Sequence, residues 1–323
     1  MLCVWHVCYI YQAATIHKLK LEEFVERATY KIISLHPLQQ NRKRRMAFWR
    51  STTLESNKHD LNTYANPTTT MTTTTTSTAT TTTDKEATTT HAELTKIPLM
   101  RAFIETHDPS SMHEVDDLMM RRFLRARDSD VDKASAMLLK CLKWRRSFVP
   151  NGFFSVSEVP NEITQDKVFA QGHDNRGRPI AVIFGARHFQ NKQGGLDEFK
   201  RFVVYAFDKL CASMPDGQEK FVGIAELKGW GYSNSDVRGY ITALSILQDY
   251  YPERLGKLFI LHAPYIFMKV WKVIYPFIDN NTRKKIVFVE NKKLKSTLLE
   301  DIEESQLPEI YGGQLPLVPI QDS

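Results

Sequence analysis

The stretch QDYYPERLGKLFILHAPYIFMKVWKVIYPFIDNNTRKK, Gln248–Lys285, decides how the chain is read. Tyr250-Tyr251-Pro252 ends a helix, because the residue before a proline is pushed out of the α region. Leu258-Phe259-Ile260-Leu261 is an apolar run of strand length. Pro264 opens a second helical segment, and Asp279-Asn280-Asn281-Thr282 closes it with turn chemistry. A basic cluster, Arg283-Lys284-Lys285, leads into another strand-like run, 286–289.

The segment between Pro264 and Asp279 predicts an unusually apolar helix. Ile266, Val270, Ile274 and Ile278 recur every four residues, and Phe267, Trp271, Tyr275 and Phe277 add a second flank. Only Lys269 and Lys272 are charged before Asp279. A half-exposed helix needs a narrower apolar stripe than this. The pattern fits a buried core helix, and it also fits a lid over an apolar cavity that touches a membrane. Periodicity does not separate the two.

Upstream, strand-like and helical runs alternate from about residue 160. Asp174-Asn175-Arg176-Gly177 has the chemistry of a hairpin turn. Ile180–Phe184 reads as a strand, Leu196–Met214 as a helix, Phe221–Leu227 as a strand and Ser235–Tyr251 as a helix. Leu294–Glu304 reads as the last helix. Strands alternating with helices of this length predict an α/β domain with a largely parallel sheet. Residues 92–155 are helical in pattern, with Asp130 placed as an N-cap, and form a separate layer ahead of residues 156–323. Residues 68–90 are low-complexity threonine with no apolar period to bury, so residues 1–91 read as a largely disordered extension. Residues 1–14 are apolar but too short to span a bilayer, and they lack the basic start of a secretory signal. Arg42-Lys43-Arg44-Arg45 reads as a solvated charge run, a membrane-surface anchor or a localisation signal.

Composition narrows the function classes. Of 323 residues, 42% are hydrophobic, which affords a sizeable core. The net charge is +6, but it divides as 11 basic against 7 acidic residues over 1–90 and 32 against 30 over 91–323. The folded part is nearly balanced, unlike a nucleic-acid-binding domain. Cys3, Cys8, Cys141 and Cys211 contain no Cys-x-x-Cys pair, which predicts free thiols in a reducing compartment. Cys3, His6 and Cys8 lack a second ligand pair, so no metal is expected.

Gly229-Trp230-Gly231-Tyr232-Ser233-Asn234 lies between a strand and a helix, where a dinucleotide fingerprint would sit. Its third glycine is missing, and Trp230 would crowd a pyrophosphate. Gly231-Tyr232-Ser233-Asn234-Ser235 is also one glycine short of a nucleophile elbow. His262, alone at a strand end, reads as a hydrogen-bonded neutral side chain rather than a base. No paired carboxylates or metal triad emerge, and no enzyme activity is expected.

Several motifs in one order carry a resemblance. They are Arg122-Phe123-Leu124-Arg125-Ala126-Arg127, Gly177-Arg178-Pro179, Tyr251-Pro252-Glu253-Arg254-Leu255-Gly256-Lys257, Ala263-Pro264, Pro276-Phe277-Ile278-Asp279, and Leu307-Pro308 with Tyr311-Gly312-Gly313. Over residues 95–315 the chain resembles the CRAL-TRIO lipid-binding family, in particular the group that exchanges phosphatidylinositol between membranes. The resemblance implies a helical N-terminal layer packed on an α/β domain whose apolar lipid cavity is closed by a gate helix. That helix would be lined by Ile266, Phe267, Val270, Trp271, Ile274, Phe277 and Ile278. It also implies that Glu253 and Lys285 contact the inositol phosphate, with Thr282 as a hydroxyl donor, Arg127 as a basic contact and Asp174 as a weaker one. Phosphate suits a lysine or arginine, and ring hydroxyls suit a carboxylate. The implied protein is a cytoplasmic monomer without a cofactor, meeting phospholipid and a membrane surface transiently and no nucleic acid.

One departure stands out. Members that also carry phosphatidylcholine have hydroxyl side chains on the strand corresponding to Phe221–Leu227, which here contains no Ser or Thr. The alternatives are a carrier of another small apolar molecule, such as a terpenoid, and a dinucleotide-dependent oxidoreductase built on Gly229–Asn234.

Overall fold

The computed structural model describes residues 81–190 and 194–323, with side chains of the first helix from Glu93 onward. The Cys3/His6/Cys8 group, the basic run at 42–45 and most of the threonine tract lie outside these residues. Lys269–Tyr275 falls outside the compact unit formed by the rest of the described chain.

Three helices come first: α1 (Thr81–His107), α2 (Asp117–Arg125) and α3 (Val131–Phe148). α1 begins within the stretch read as linker, where Asp84-Lys85-Glu86-Ala87 are compatible with a helix already anchored downstream. Asp116 and Asp130 cap α2 and α3 by accepting from the backbone N–H of Met119 and Lys133, as an N-cap should. The layer's core is Met100, Ile104, Met120, Phe123, Leu124, Leu138 and Leu142.

The remainder alternates. A short turn of helix, α4 (Pro160–Ile163), leads to β1 (Val168–His173) and β2 (Pro179–Phe184). Then come α5 (Gly195–Ala212), β3 (Phe221–Glu226), α6 (Val237–Tyr250), β4 (Leu255–Leu261), α7 (Tyr265–Ile274), α8 (Asn280–Arg283), β5 (Ile286–Phe288) and α9 (Leu294–Leu299). The sheet order is β1-β2-β3-β4-β5. β1 and β2 form the expected antiparallel hairpin, and β2 through β5 run parallel.

α3 joins the helical layer to the α/β part. Trp144 stacks on Tyr250 with ring centroids 3.7 Å apart, and Arg145 donates to both oxygens of Asp208 at 2.9 Å.

The two sheet faces differ. Ile180, Val182, Val222, Ile224, Phe259 and Leu261 point to one face and are sealed from solvent. There they meet Leu298, Ile302, Leu307 and Tyr311 of the C-terminal segment. Side chains alternate along a strand, so Ala181, Ile183, Gly223, Ala225, Leu258, Ile286 and Phe288 share the opposite face. α5 covers part of it, through Phe199, Phe202, Val203 and Ala206 near Ala181 and Phe221. Ile183, Ala225, Leu258, Ile286 and Phe288 stay only half-buried. This apolar surface has small side chains at its centre and is incompletely packed.

The largest departures from the helices predicted in the α/β part are at two C-terminal ends. α7 stops at Ile274, and Tyr275-Pro276-Phe277 forms a 3₁₀ turn, because Pro276 disfavours the α region at Tyr275. Gln248 of α6 holds the following chain, donating to the Phe277 carbonyl at 3.1 Å and accepting from the Asp279 N–H at 2.8 Å. α9 stops at Leu299, short of the predicted Glu304, and Leu298 is its fully buried anchor. Gly313 is needed where it stands, since a Cβ there would run into the Leu307 backbone.

Several buried or paired acids set the response to pH. The Asp108 carboxyl is held down at about 2, chiefly by hydrogen bonding to Arg146. Burial alone would raise Glu93, Asp174 and Asp236. Hydrogen bonds from Arg125 and Arg121, from Arg178 and Arg176, and from His188 and Gly239, respectively, outweigh it and leave all three below their ordinary values. A depressed carboxyl contributes stability that is complete above its unfolded value and lost as pH falls through its folded one. The thermal midpoint is therefore expected to be level above about pH 5 and to fall steadily toward about pH 2. Calorimetry across that range checks it, and a midpoint that rises on acidification would contradict it.

Candidate functional site

β4 lies between β3 and β5, and all three run the same way. Residues just ahead of these strands therefore meet at one edge of the sheet. Glu253 precedes β4, Lys220 precedes β3 and Lys285 precedes β5. The carboxylate consequently stands between two ammonium groups, with Lys285 Nζ 3.1 Å and Lys220 Nζ 3.8 Å from Glu253 Oε2. The side chains of Glu253 and Lys285 are 15% and 19% exposed, so solvent screens the pair only in part.

Backbone geometry marks the same spot. Glu253 has φ +58°, in the left-handed region. A side-chain-bearing residue held there costs roughly 1–3 kcal/mol, and such residues cluster at functional sites.

The two implied partners Glu253 and Lys285 are thus brought together. Thr282 lies one turn of α8 away, its carbonyl accepting from the Lys285 N–H at 3.0 Å and its N–H bound to Asp279. Arg127 donates to the neighbouring Ala126 carbonyl at 2.9 Å, and no ion pair to it is seen among the described residues. Arg122 and Arg125 are the arginines of that motif that reach toward the strand edge, at 3.1 and 2.9 Å from Glu219, next to Lys220. Arg125 also holds Glu93 at 2.9 and 3.0 Å. The Glu93 bond is the main cause that raises the Arg125 guanidinium above its ordinary value.

Asp174 does not join the pair. It is almost fully buried, accepting from Arg178 N at 2.9 Å, Arg178 Nε at 2.7 Å and Arg176 N at 3.0 Å, and forming an ion pair with Arg178. Its link to the strand edge is indirect. Arg178 packs over Gly256, where a Cβ would strike the guanidinium and lie 3.0 Å from Cδ.

Lys220 is the residue that reading the motifs missed. Its only sequence signal is its place directly before a strand, the place Lys285 also occupies. Burial, and then Lys285, push its ammonium below the ordinary lysine value, while Glu253 opposes them.

Within the Gly229–Asn234 turn the Gly231 N–H is already bound to Asn234 Oδ1 at 2.9 Å. Trp230 is buried and donates its indole N–H to the Tyr240 hydroxyl at 3.2 Å. The N-terminus of α6 already holds an anion, since the Asp236 carboxylate caps it by accepting from Gly239 N at 2.9 Å. His262 is hydrogen-bonded, as expected, with Nδ1 2.9 Å from each oxygen of Glu226. Among the described residues no group of three metal-ligating side chains forms, and no helix is long and apolar enough to cross a membrane.

Comparison with known proteins places the fold in a family. The CRAL/TRIO domain model matches residues 163–313, which include Glu253, Thr282 and Lys285. The Sec14 cytosolic factor of Schizosaccharomyces pombe is 32% identical over 223 residues, covering 62% of this chain and 75% of that protein. This chain belongs to the CRAL/TRIO family. The SEC14 cytosolic factor of Kluyveromyces lactis is 29% identical, with 62% of this chain and 71% of that protein covered. A phosphatidylinositol/phosphatidylcholine transfer protein of Arabidopsis thaliana is 31% identical, with 60% and 39% covered. The crystal structure of Sfh5 superimposes with a TM-score of 0.50 at 18% identity, covering 64% of this chain and 84% of that one. At that identity it speaks for the CRAL/TRIO fold alone. In this CRAL/TRIO chain the β3 face shared with Ala181 presents Phe221, Gly223 and Ala225, none of which carries a hydroxyl.

Proposed function

We propose that this protein binds phosphatidylinositol, with its acyl chains over the half-covered apolar face of the sheet and its headgroup at the strand edge, and carries it between membranes. The observation that carries this reading is the strained Glu253 held between Lys285 and Lys220 at the amino ends of β4, β5 and β3. A phosphodiester is suited to the lysines and ring hydroxyls to the carboxylate. The Sec14-type relatives, and the Arabidopsis protein whose name states phosphatidylinositol/phosphatidylcholine transfer, support it.

The energetics suit a carrier. Burying a lipid of on the order of 30 methylenes, at about 0.8 kcal/mol each, removes roughly 25 kcal/mol of transfer free energy from water. A bilayer offers nearly the same, so exchange runs near equilibrium without an energy source, and selectivity falls to the headgroup. α7 is the gate in this reading. Phe267, Val270, Ile274 and the following Ile278 are buried, while Ile266, Trp271 and Phe277 are partly exposed. Phe267 meets Trp230 edge-on at 5.3 Å. The protein acts as a cytoplasmic monomer at the membrane surface, and the proposed task includes no chemical step.

The test is transfer of fluorescent phosphatidylinositol from donor to acceptor vesicles. The protein is expected to accelerate it well above the spontaneous rate. Transfer no faster than in buffer would reject the proposal.

A further inference from the structure

Glu253 and Lys285 cancel each other. One carboxylate and one ammonium 3.1 Å apart carry no net charge. A site built from this pair alone has no net charge with which to prefer an anionic headgroup over a zwitterionic or neutral one.

Lys220 upsets that balance. It approaches the same Glu253 oxygen from the β3 side at 3.8 Å, so the three groups sum to one surplus positive charge. Its side chain is 35% exposed, so water screens the surplus incompletely. The charged groups that act most on Lys220 are Lys285, Glu253, Arg125 and Glu219. Glu219 is already shared by Arg122 and Arg125, and Arg125 is held between Glu93 and Glu219. Among the described residues, the carboxylates that reach this cluster are Glu253, Glu219 and Glu93, and each is already shared by other cations. The site lacks one negative charge, which an inositol phosphodiester headgroup carries as its net charge and a zwitterionic choline headgroup does not.

We propose that Lys220 makes this site demand an anionic headgroup, setting phosphatidylinositol apart from phosphatidylcholine and from neutral apolar cargo. The inference rests on the phosphatidylinositol reading above and names the residue that enforces it. A choline headgroup brings its own cation toward two lysines, and a neutral ligand leaves the surplus unanswered. Burial already disfavours the charged form of Lys220, so an arriving phosphate stabilises the proton there, and selection weakens as alkaline pH removes it.

The experiment incubates the full chain with vesicles holding equal phosphatidylinositol and phosphatidylcholine, re-isolates it and quantifies the extracted lipids by mass spectrometry. Wild type is expected to be enriched in phosphatidylinositol. Lys220→Gln is expected to lower the phosphatidylinositol-to-phosphatidylcholine ratio by about tenfold, within the range of one charge-assisted hydrogen bond. Lys220→Arg, which keeps the charge, is expected to retain it. The wild-type ratio is also expected to fall as pH is raised from about 7 to about 10, which tests the charge without any variant. Excess glycerophosphoinositol, the soluble headgroup, is expected to leave lipid loading intact, and its displacing the lipid would overturn the lipid assignment. An unchanged ratio in Lys220→Gln, or a wild-type ratio flat with pH, would overturn the role of Lys220 while leaving the phosphatidylinositol reading standing. A wild type that takes up no phosphatidylinositol would overturn that reading itself.

Discussion

Arg178→Ala is expected to lower the free energy of unfolding by about 3–5 kcal/mol, the cost of stranding one member of a buried ion pair. Arg178 is 9% exposed in its side chain and Asp174 1%, so the carboxylate left behind would sit away from water with its guanidinium gone. Two backbone N–H groups would still serve it, those of Arg176 and Arg178, which is why the loss should not exceed that range. Chemical denaturation of the variant measures it directly. Arg101→Ala is the internal control, because the Arg101–Asp117 pair is 41% and 59% exposed and such pairs contribute about 0–1 kcal/mol. Equal, small losses at both positions would show that the Arg178 pair is not structural. Gly256→Ala acts on the same contact from the other side, since the new methyl would displace the Arg178 guanidinium.

The layer order was legible in the sequence because the apolar runs have strand length and the intervening segments have helical period. β3, β4 and their flanking helices fall within a few residues of where those patterns put them. Helix ends were less legible. The apolar period runs on through Ile278, but Pro276 imposes a 3₁₀ turn that periodicity does not register. Site geometry was legible only through the family motifs. Glu253 and Lys285 stand 32 positions apart, and they meet because β4 and β5 are parallel neighbours, a fact of sheet order that no local spacing encodes. Asp174 shows the reverse case. The resemblance implies it as a weaker headgroup contact, and in the structure Arg178, four residues on, folds back across the hairpin turn and pairs with it. Lys220 escaped notice because it belongs to no motif, and its importance arises only once β3 is known to lie beside β4.

The second large effect is on ligand loading. Glu253→Ala combined with Lys285→Ala removes both members of the closer ion pair, and the Lys220 it leaves behind is 35% exposed and keeps access to water, so the cost to the fold is small. Alanine at 253 inherits the left-handed φ that glutamate already tolerates, so the backbone strain is little changed. The headgroup, by contrast, loses a phosphate donor and a hydroxyl acceptor together. Two charge-assisted hydrogen bonds of about 1.5–3 kcal/mol each correspond to a loss of at least about a hundredfold in affinity. Lys220 would remain as a lone cation at the edge, too little to orient an inositol ring.

The claim at the centre is that one carboxylate and its flanking lysine at the sheet edge hold the inositol phosphate. The direct measurement is the phosphatidylinositol bound per protein after incubation with phosphatidylinositol vesicles, for wild type and for the Glu253→Ala/Lys285→Ala variant, with circular dichroism confirming that both are folded. The account predicts a loaded wild type and a folded variant essentially free of phosphatidylinositol. A folded variant that loads phosphatidylinositol as wild type does would contradict it.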